Sequence, residues 1–141
     1  MRETWALLTY TIPREPTAPR VAIWRKLKKL GAVLLYDAVW IVPNRPTLLE
    51  QLRWLAIEIN EAGGAAAVWA AQGDLAAQDE LLIAQFVAQA ESGYQHILRA
   101  LDDPLVNRRQ LAHRYQQIRA SDYFHAPSGE VVRARLEGNT L

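Results

Sequence analysis

The chain has 141 residues, 16 Lys+Arg against 15 Asp+Glu, no cysteine and a half-apolar composition with only 7 Gly and 7 Pro. That composition excludes a disordered or collagen-like chain, a disulfide scaffold and any Cys-ligated metal centre. No run reaches the roughly 18 apolar residues of a membrane span. The start Met1-Arg2-Glu3-Thr4 does not read as a secretory signal, so the expectation is a reduced, cytoplasmic protein without membrane contact.

Glu3–Ile12 is β-branched and aromatic and is stopped by Pro13, the pattern of a first strand. Pro13, Pro16 and Pro19 follow at three-residue spacing and make a stiff connector, with Thr17 placed to cap the next helix. Over Arg20–Leu30, Ile23, Leu27 and Leu30 fall on one stripe with Trp24 on its flank. Arg25, Lys26, Lys28 and Lys29 take the opposite arc, and Gly31 suits a helix terminator. Ala32–Tyr36 and Ala38–Val42 are apolar strand runs separated by Asp37, which predicts a short hairpin. Thr47 is placed to cap a second helix whose stripe is Leu48, Leu52, Leu55, Ile59 and Ala62, ended by Gly63-Gly64. Ala65–Ala71 reads as a fourth strand, although alanine is a weak strand former.

The order β-α-β-β-α-β predicts an α+β, ferredoxin-like domain over residues 1–72, with an antiparallel sheet and both helices on one face. Residues 73–141 read as a C-terminal helical extension packed on it. Asp74–Leu101 and Val106–Ala120 predict two antiparallel helices, with Gly93 a weak point in the first and Asp102-Asp103-Pro104 breaking it. Ser121–Pro127 is a turn with aromatic anchors. Ser128 is placed to cap a last helix, Gly129–Glu137, before a fraying tail.

Several of these blocks carry a family resemblance. Trp5-Ala-Leu-Leu-Thr-Tyr, Pro13-Arg-Glu-Pro-Thr, Val21-Ala-Ile-Trp-Arg-Lys-Leu-Lys-Lys-Leu-Gly-Ala, Ala38-Val-Trp-Ile-Val-Pro and the tail Asp122-Tyr-Phe resemble the N-terminal domain of the chromate-resistance regulator ChrB. The resemblance runs from about Trp5 to Leu136. Such domains are similar to the ferredoxin-like module of the phenylacetate-pathway repressor PaaX, which looks like the small dimeric subunit of CRISPR integration complexes. The resemblance implies an intracellular protein of chromate-resistance operons, where the full regulator represses a chromate efflux pump and is released by chromate. The chain leaves no room for that regulator's large C-terminal domain, so a stand-alone relative or one half of a split pair is expected. Partners implied are operon promoter DNA, a second copy as homodimer, and a separate protein like the ChrB C-terminal domain.

Charge is unevenly placed. Arg14, Arg20, Arg25, Lys26, Lys28 and Lys29 stand against a single acid, Glu15, and all the lysines of the protein lie there. One reading is a set of phosphate contacts for DNA, giving affinity without base readout; the other is a solvated helix face, although such faces usually mix signs. No helix-turn-helix is evident. Arg108, Arg109, Arg114 and Arg119 suit an oxyanion such as chromate or sulfate, or ion pairs with Asp102, Asp103 and Asp122. His96, His113 and His125 match no metal-ligand spacing, so no metal or cofactor is expected. The first strand ends without an acid, and there is neither a Gly-x-Ser-x-Gly motif nor a Gly-rich loop, which predicts a protein that is not an enzyme. Trp5, Trp24, Trp40, Trp54 and Trp69 could stack on bases but read mainly as core. Trp5, Trp40 and Trp69 would share a sheet face if their sides agree. The rival to a DNA-binding regulator is a module that docks a separate sensor domain without touching nucleic acid.

Overall fold

The computed structural model describes residues Arg2 to Gly138. The elements are β1 (Trp5–Thr11), α1 (Thr17–Lys29), β2 (Val33–Leu35), β3 (Val39–Pro43), α2 (Pro46–Glu61), β4 (Ala65–Ala71), α3 (Ala76–Ala100), α4 (Arg108–Ala120) and α5 (Ser128–Leu136). The chain divides into two compact units, one running to Leu81 and one from Leu82. Among the described residues no helix is long and apolar enough to cross a membrane.

The first unit is an antiparallel sheet in the order β2-β3-β1-β4, which is the ferredoxin-like arrangement. The two central strands are buried on both faces: Trp5, Ala6 and Leu8 of β1 and Trp40, Ile41 and Val42 of β3 are all in the core. Leu8 pairs with Trp40 and Val68, and Leu7 with Ile41 and Trp69. Alternation then sets the faces. Ala6, Leu8, Trp40 and Val42 lie on the helix side, with Ile23 and Leu27 of α1 and Leu48, Leu52, Leu55 and Ile59 of α2 buried over them. Trp5, Val33 and Ile41 are buried on the other side. Trp40 therefore faces away from Trp5 and Trp69, and the three do not form one surface. The alanine-rich β4 is a strand because β1 pairs with it along its whole length, from Trp5↔Ala71 to Thr11↔Ala65.

The connections explain the boundaries. The β2–β3 hairpin is closed by Ala38 N–H donating to the Leu35 carbonyl at 3.1 Å, with Tyr36 (φ 53°) and Asp37 (φ 56°) both left-handed. That is the two-residue hairpin geometry whose twist matches the flanking strands. Gly64 leaves α2 so tightly that a Cβ there would strike the Thr11 carbonyl and stand 2.8 Å from Ile59 Cγ2. The three expected caps are not caps. Pro16, Arg45 and Pro127 hold those positions without side-chain bonds, and Thr17, Thr47 and Ser128 lie inside their helices. Proline at or near the first helical position tolerates the missing N–H, so the helices begin earlier than the threonines and serine alone suggest. A cap does form at α4, where the Asn107 side chain accepts from Gln110 N, three residues on, at 3.2 Å.

The first turn of α3 stays with the sheet through Asp79. Its buried carboxylate accepts from Arg2 Nε at 2.7 Å, Glu3 N at 3.2 Å and Trp5 Nε1 at 3.1 Å. The Arg2 hydrogen bond first, then Trp5, holds the Asp79 carboxyl below its ordinary value.

The second unit packs Tyr94, Ile97, Tyr115, Ile118, Ala126 and Val132 into its own core. Gly93 does not interrupt α3, which runs through it unbroken. A Cβ there would lie 2.8 Å from Ile118 Cδ1, so glycine is what lets α3 and α4 approach. Tyr94 donates to Asp122 Oδ2 at 2.8 Å, and Ala126 N–H caps the same carboxylate. Burial, then the Asp122 bond, pushes the Tyr94 phenol well above its ordinary value. The aromatic turn is anchored as expected, with Phe86 ring centroids 6.3 Å from Tyr123 and 5.6 Å from Phe124. The fraying tail expected beyond Gly138 lies outside the described residues.

Candidate nucleic-acid interface

Helix α1 owes its place to very few contacts. Of its 13 residues only Ile23 and Leu27 are buried. Everything else on the helix is turned to solvent or to its rim, including Arg20, Arg25, Lys26, Lys28 and Lys29; Arg14 in the preceding connector is exposed too. The sequence therefore spends two apolar positions on docking and leaves a broad cationic surface.

The cations are not equivalent. Lys26 Nζ reaches Glu58 of α2, at 2.7 Å to Oε1 and 2.8 Å to Oε2, so one of the six is matched by a carboxylate from the neighbouring helix. The sequence places Glu50, Glu58 and Glu61 against the single cation Arg53 in α2, without showing which of them meets Lys26. Lys28 Nζ stands 5.8 Å from the centroid of the Trp24 ring, within reach of a cation–π attraction. Arg14, Arg20, Arg25 and Lys29 form no ion pair among the described residues. Three lysines sit in the last turn, where they complement the helix dipole, but no acid occupies the first turn.

Trp24 was expected beside the core and is half exposed, at 50%; Trp54 and Trp69 are exposed as well, leaving Trp5 and Trp40 as the buried tryptophans. An exposed ring between Arg20 and Lys28 on consecutive turns is not apparent from the apolar stripe alone. The signal was available, since i, i+4 and i+8 place the three on one side.

The second basic group is dispersed. Arg108 donates to the Arg135 and Leu136 carbonyls at the end of α5, and Arg119 lies 3.7 Å from Glu130. Asp102 is met by Arg135 at 3.6 Å, not by an α4 arginine. Arg108 and Arg119 are eleven residues apart, about 16 Å along a helix, so they do not converge on one small dianion. Arg109 and Arg114 are exposed on other sides of α4. His113 faces Gln117 at 3.3 Å, and among the described residues no three His, Asp or Glu gather as a metal site. Asp37 sits in the hairpin turn, as its lone position between strands implied.

The profile of the family described as "Protein ChrB, N-terminal" matches residues 20–107, more than half of the chain. The chain is similar to Protein ChrB of Cupriavidus metallidurans, 35% identical over 60 residues, which is 43% of this chain and 18% of that relative. The matched stretch is thus under a fifth of the relative's length. No solved structure matches. The match begins at Arg20 and takes in the exposed cationic face of α1, both β-hairpin strands and α2, and on that coverage the chain belongs to the ChrB N-terminal family.

Proposed function

We propose that this chain is a non-catalytic, DNA-binding transcriptional regulator of a chromate-resistance operon, acting in the cytoplasm, and that α1 is its phosphate-contacting element. The observation that carries the reading is the solvent-facing row Arg20, Arg25, Lys28 and Lys29, with Arg14 beside it and no carboxylate paired to any of them among the described residues. Guanidinium and ammonium groups so placed release counterions from a phosphate backbone. A homodimer would present two such helices to one promoter, and a separate ChrB C-terminal-like protein would supply effector sensing.

The test is binding to the chain's own operon promoter as salt is varied. Four phosphate contacts per protomer give a slope of log K on log salt of about −3.6. Lys28→Glu with Lys29→Glu is expected to weaken binding strongly and to flatten the slope. A wild type that ignores promoter DNA, or a variant that binds as well as wild type, overturns the reading. Such a result favours a protein-docking module instead. The observation behind that alternative is the outer face of α2, where Trp54 and Ile57 are exposed one turn apart.

A further inference from the structure

A cavity of about 460 Å³ opens beside α1, between its N-terminal half, the end of β1 and the β2–β3 hairpin. Tyr10, Trp24, Leu34 and Trp40 supply flat and apolar walls, and Arg20 and Asp37 supply opposite charges. Two further observations bear on it. Trp24 is half exposed on the same stripe as Arg20 and Lys28, so one wall of the cavity belongs to the cationic row. And Asp37 is held there by a turn in which two successive non-glycine residues adopt positive φ, Tyr36 at 53° and Asp37 at 56°. The two-residue hairpin accounts for both φ values, and it fixes the Asp37 carboxylate at the edge of the cavity.

We propose that this cavity receives a single nucleobase turned out of a nucleic-acid strand whose phosphates lie along α1. The proposal rests on the reading of α1 as a phosphate-binding helix and specifies what it binds: DNA with an unpaired base. Aromatic walls accept the face of any base. A carboxylate accepts from the exocyclic amino group of adenine, cytosine or guanine, which thymine lacks. Arg20 serves both surfaces, since it lines the cavity and stands in the cationic row. A solvated outer face requires no aromatic wall and no carboxylate facing a cation across a cavity.

The experiment compares the intact chain on two promoter duplexes of equal length, one perfect and one with a single bulged adenine. A bulged base costs least to extrude, and one stacked base is worth about tenfold in affinity. Wild type is expected to prefer the bulged duplex by about that factor. Trp24→Ala is expected to bring the two affinities together, and a bulged thymine is expected to be preferred less than adenine. Equal wild-type affinities, or a preference that survives Trp24→Ala, overturn the nucleobase site while leaving the phosphate reading intact. Failure to bind either duplex overturns the phosphate reading and this proposal together. Trp24 is half exposed, so its replacement leaves the core unchanged, and circular dichroism of the variant verifies this.

Discussion

The Lys26–Glu58 pair offers a gain-of-function test of the cationic helix. Both Glu58 oxygens lie within 2.8 Å of Lys26 Nζ, and the two side chains are 52% and 39% exposed. An exposed pair of this kind contributes only about 0.5 kcal/mol to stability, so Glu58→Gln should leave folding nearly unchanged. It releases Lys26 to a phosphate, raising the number of contacts by one. One contact adds about 0.9 to the steepness of log K on log salt, hence roughly eightfold in affinity at 0.1 M salt. Fluorescence anisotropy of labelled promoter DNA over a salt series reads both quantities. Removing a negative charge also raises the potential of the whole face, so the control is the same substitution in a Lys26→Ala background. If release of Lys26 is the cause, the gain vanishes there. Lys26→Ala alone should then cost little, and Lys29→Ala should cost the full eightfold or so. Unchanged affinity and slope in Glu58→Gln, with Lys29→Ala also silent, would refute the phosphate assignment.

Three further outcomes concern the packing inside each of the two units. Gly93→Ala gains about 1 kcal/mol of helix propensity but inserts a methyl 2.8 Å from Ile118 Cδ1, where overpacking costs about 1–3 kcal/mol; urea unfolding should show a net loss that Ile118→Val partly reverses, and a stabilised Gly93→Ala would contradict it. Tyr94→Phe deletes a buried hydrogen bond to the Asp122 carboxylate and should cost about 2 kcal/mol by the same assay; a neutral result would mean that water replaces the hydroxyl. Asp79 has a folded carboxyl pKa held below its ordinary 3.8, chiefly by the Arg2 hydrogen bond. Its stabilisation is therefore present above that ordinary value and disappears as pH falls through the lower folded one. The stability advantage of wild type over Asp79→Asn should accordingly be full at neutral pH and shrink below about pH 4, and a difference independent of pH would rule the charged pair out as its source.

The sheet was legible because period and punctuation agree: Pro13, Gly31, Asp37 and Gly63-Gly64 each end an element where the hydrophobic pattern also stops. Ala65–Ala71 shows the limit of propensity, since its seven residues are ordered by pairing with β1 and not by their own preference. Caps failed for a different reason. A Ser or Thr next to proline competes with a residue whose φ is already fixed, and proline set the boundary at Pro16, Pro46 and Pro127. Burial of the tryptophans was not legible, because hydrophobicity says that a ring should be covered and only topology says by what. Trp40 lies under the helices, whereas Trp24, one residue off the buried Ile23, is turned outward. Glu58 could be matched to Lys26 only once α1 and α2 were known to lie side by side.

The helix dipole gives the cationic row a purely structural explanation, and Arg20 is where that explanation stops. Lys26, Lys28 and Lys29 occupy the last turn of α1, where each cation is stabilised by about 0.3–1 kcal/mol. They offset the repulsion of like charges three and four residues apart, such as Arg25 with Lys28 and Lys29. Arg20 is the fourth residue of the helix, near the positive end, with no acid in the first turn to relieve it. Stability alone would place an acid there. Arg20→Glu is therefore expected to raise the melting temperature slightly, by the degree or two that about 0.5 kcal/mol allows, while weakening promoter binding by more than the eightfold or so of a neutralised contact. Opposite signs in the two measurements identify a residue kept for a ligand at the expense of the fold. A variant that loses stability, or one that gains it and binds DNA undiminished, would mean that the cations of α1 serve the helix itself.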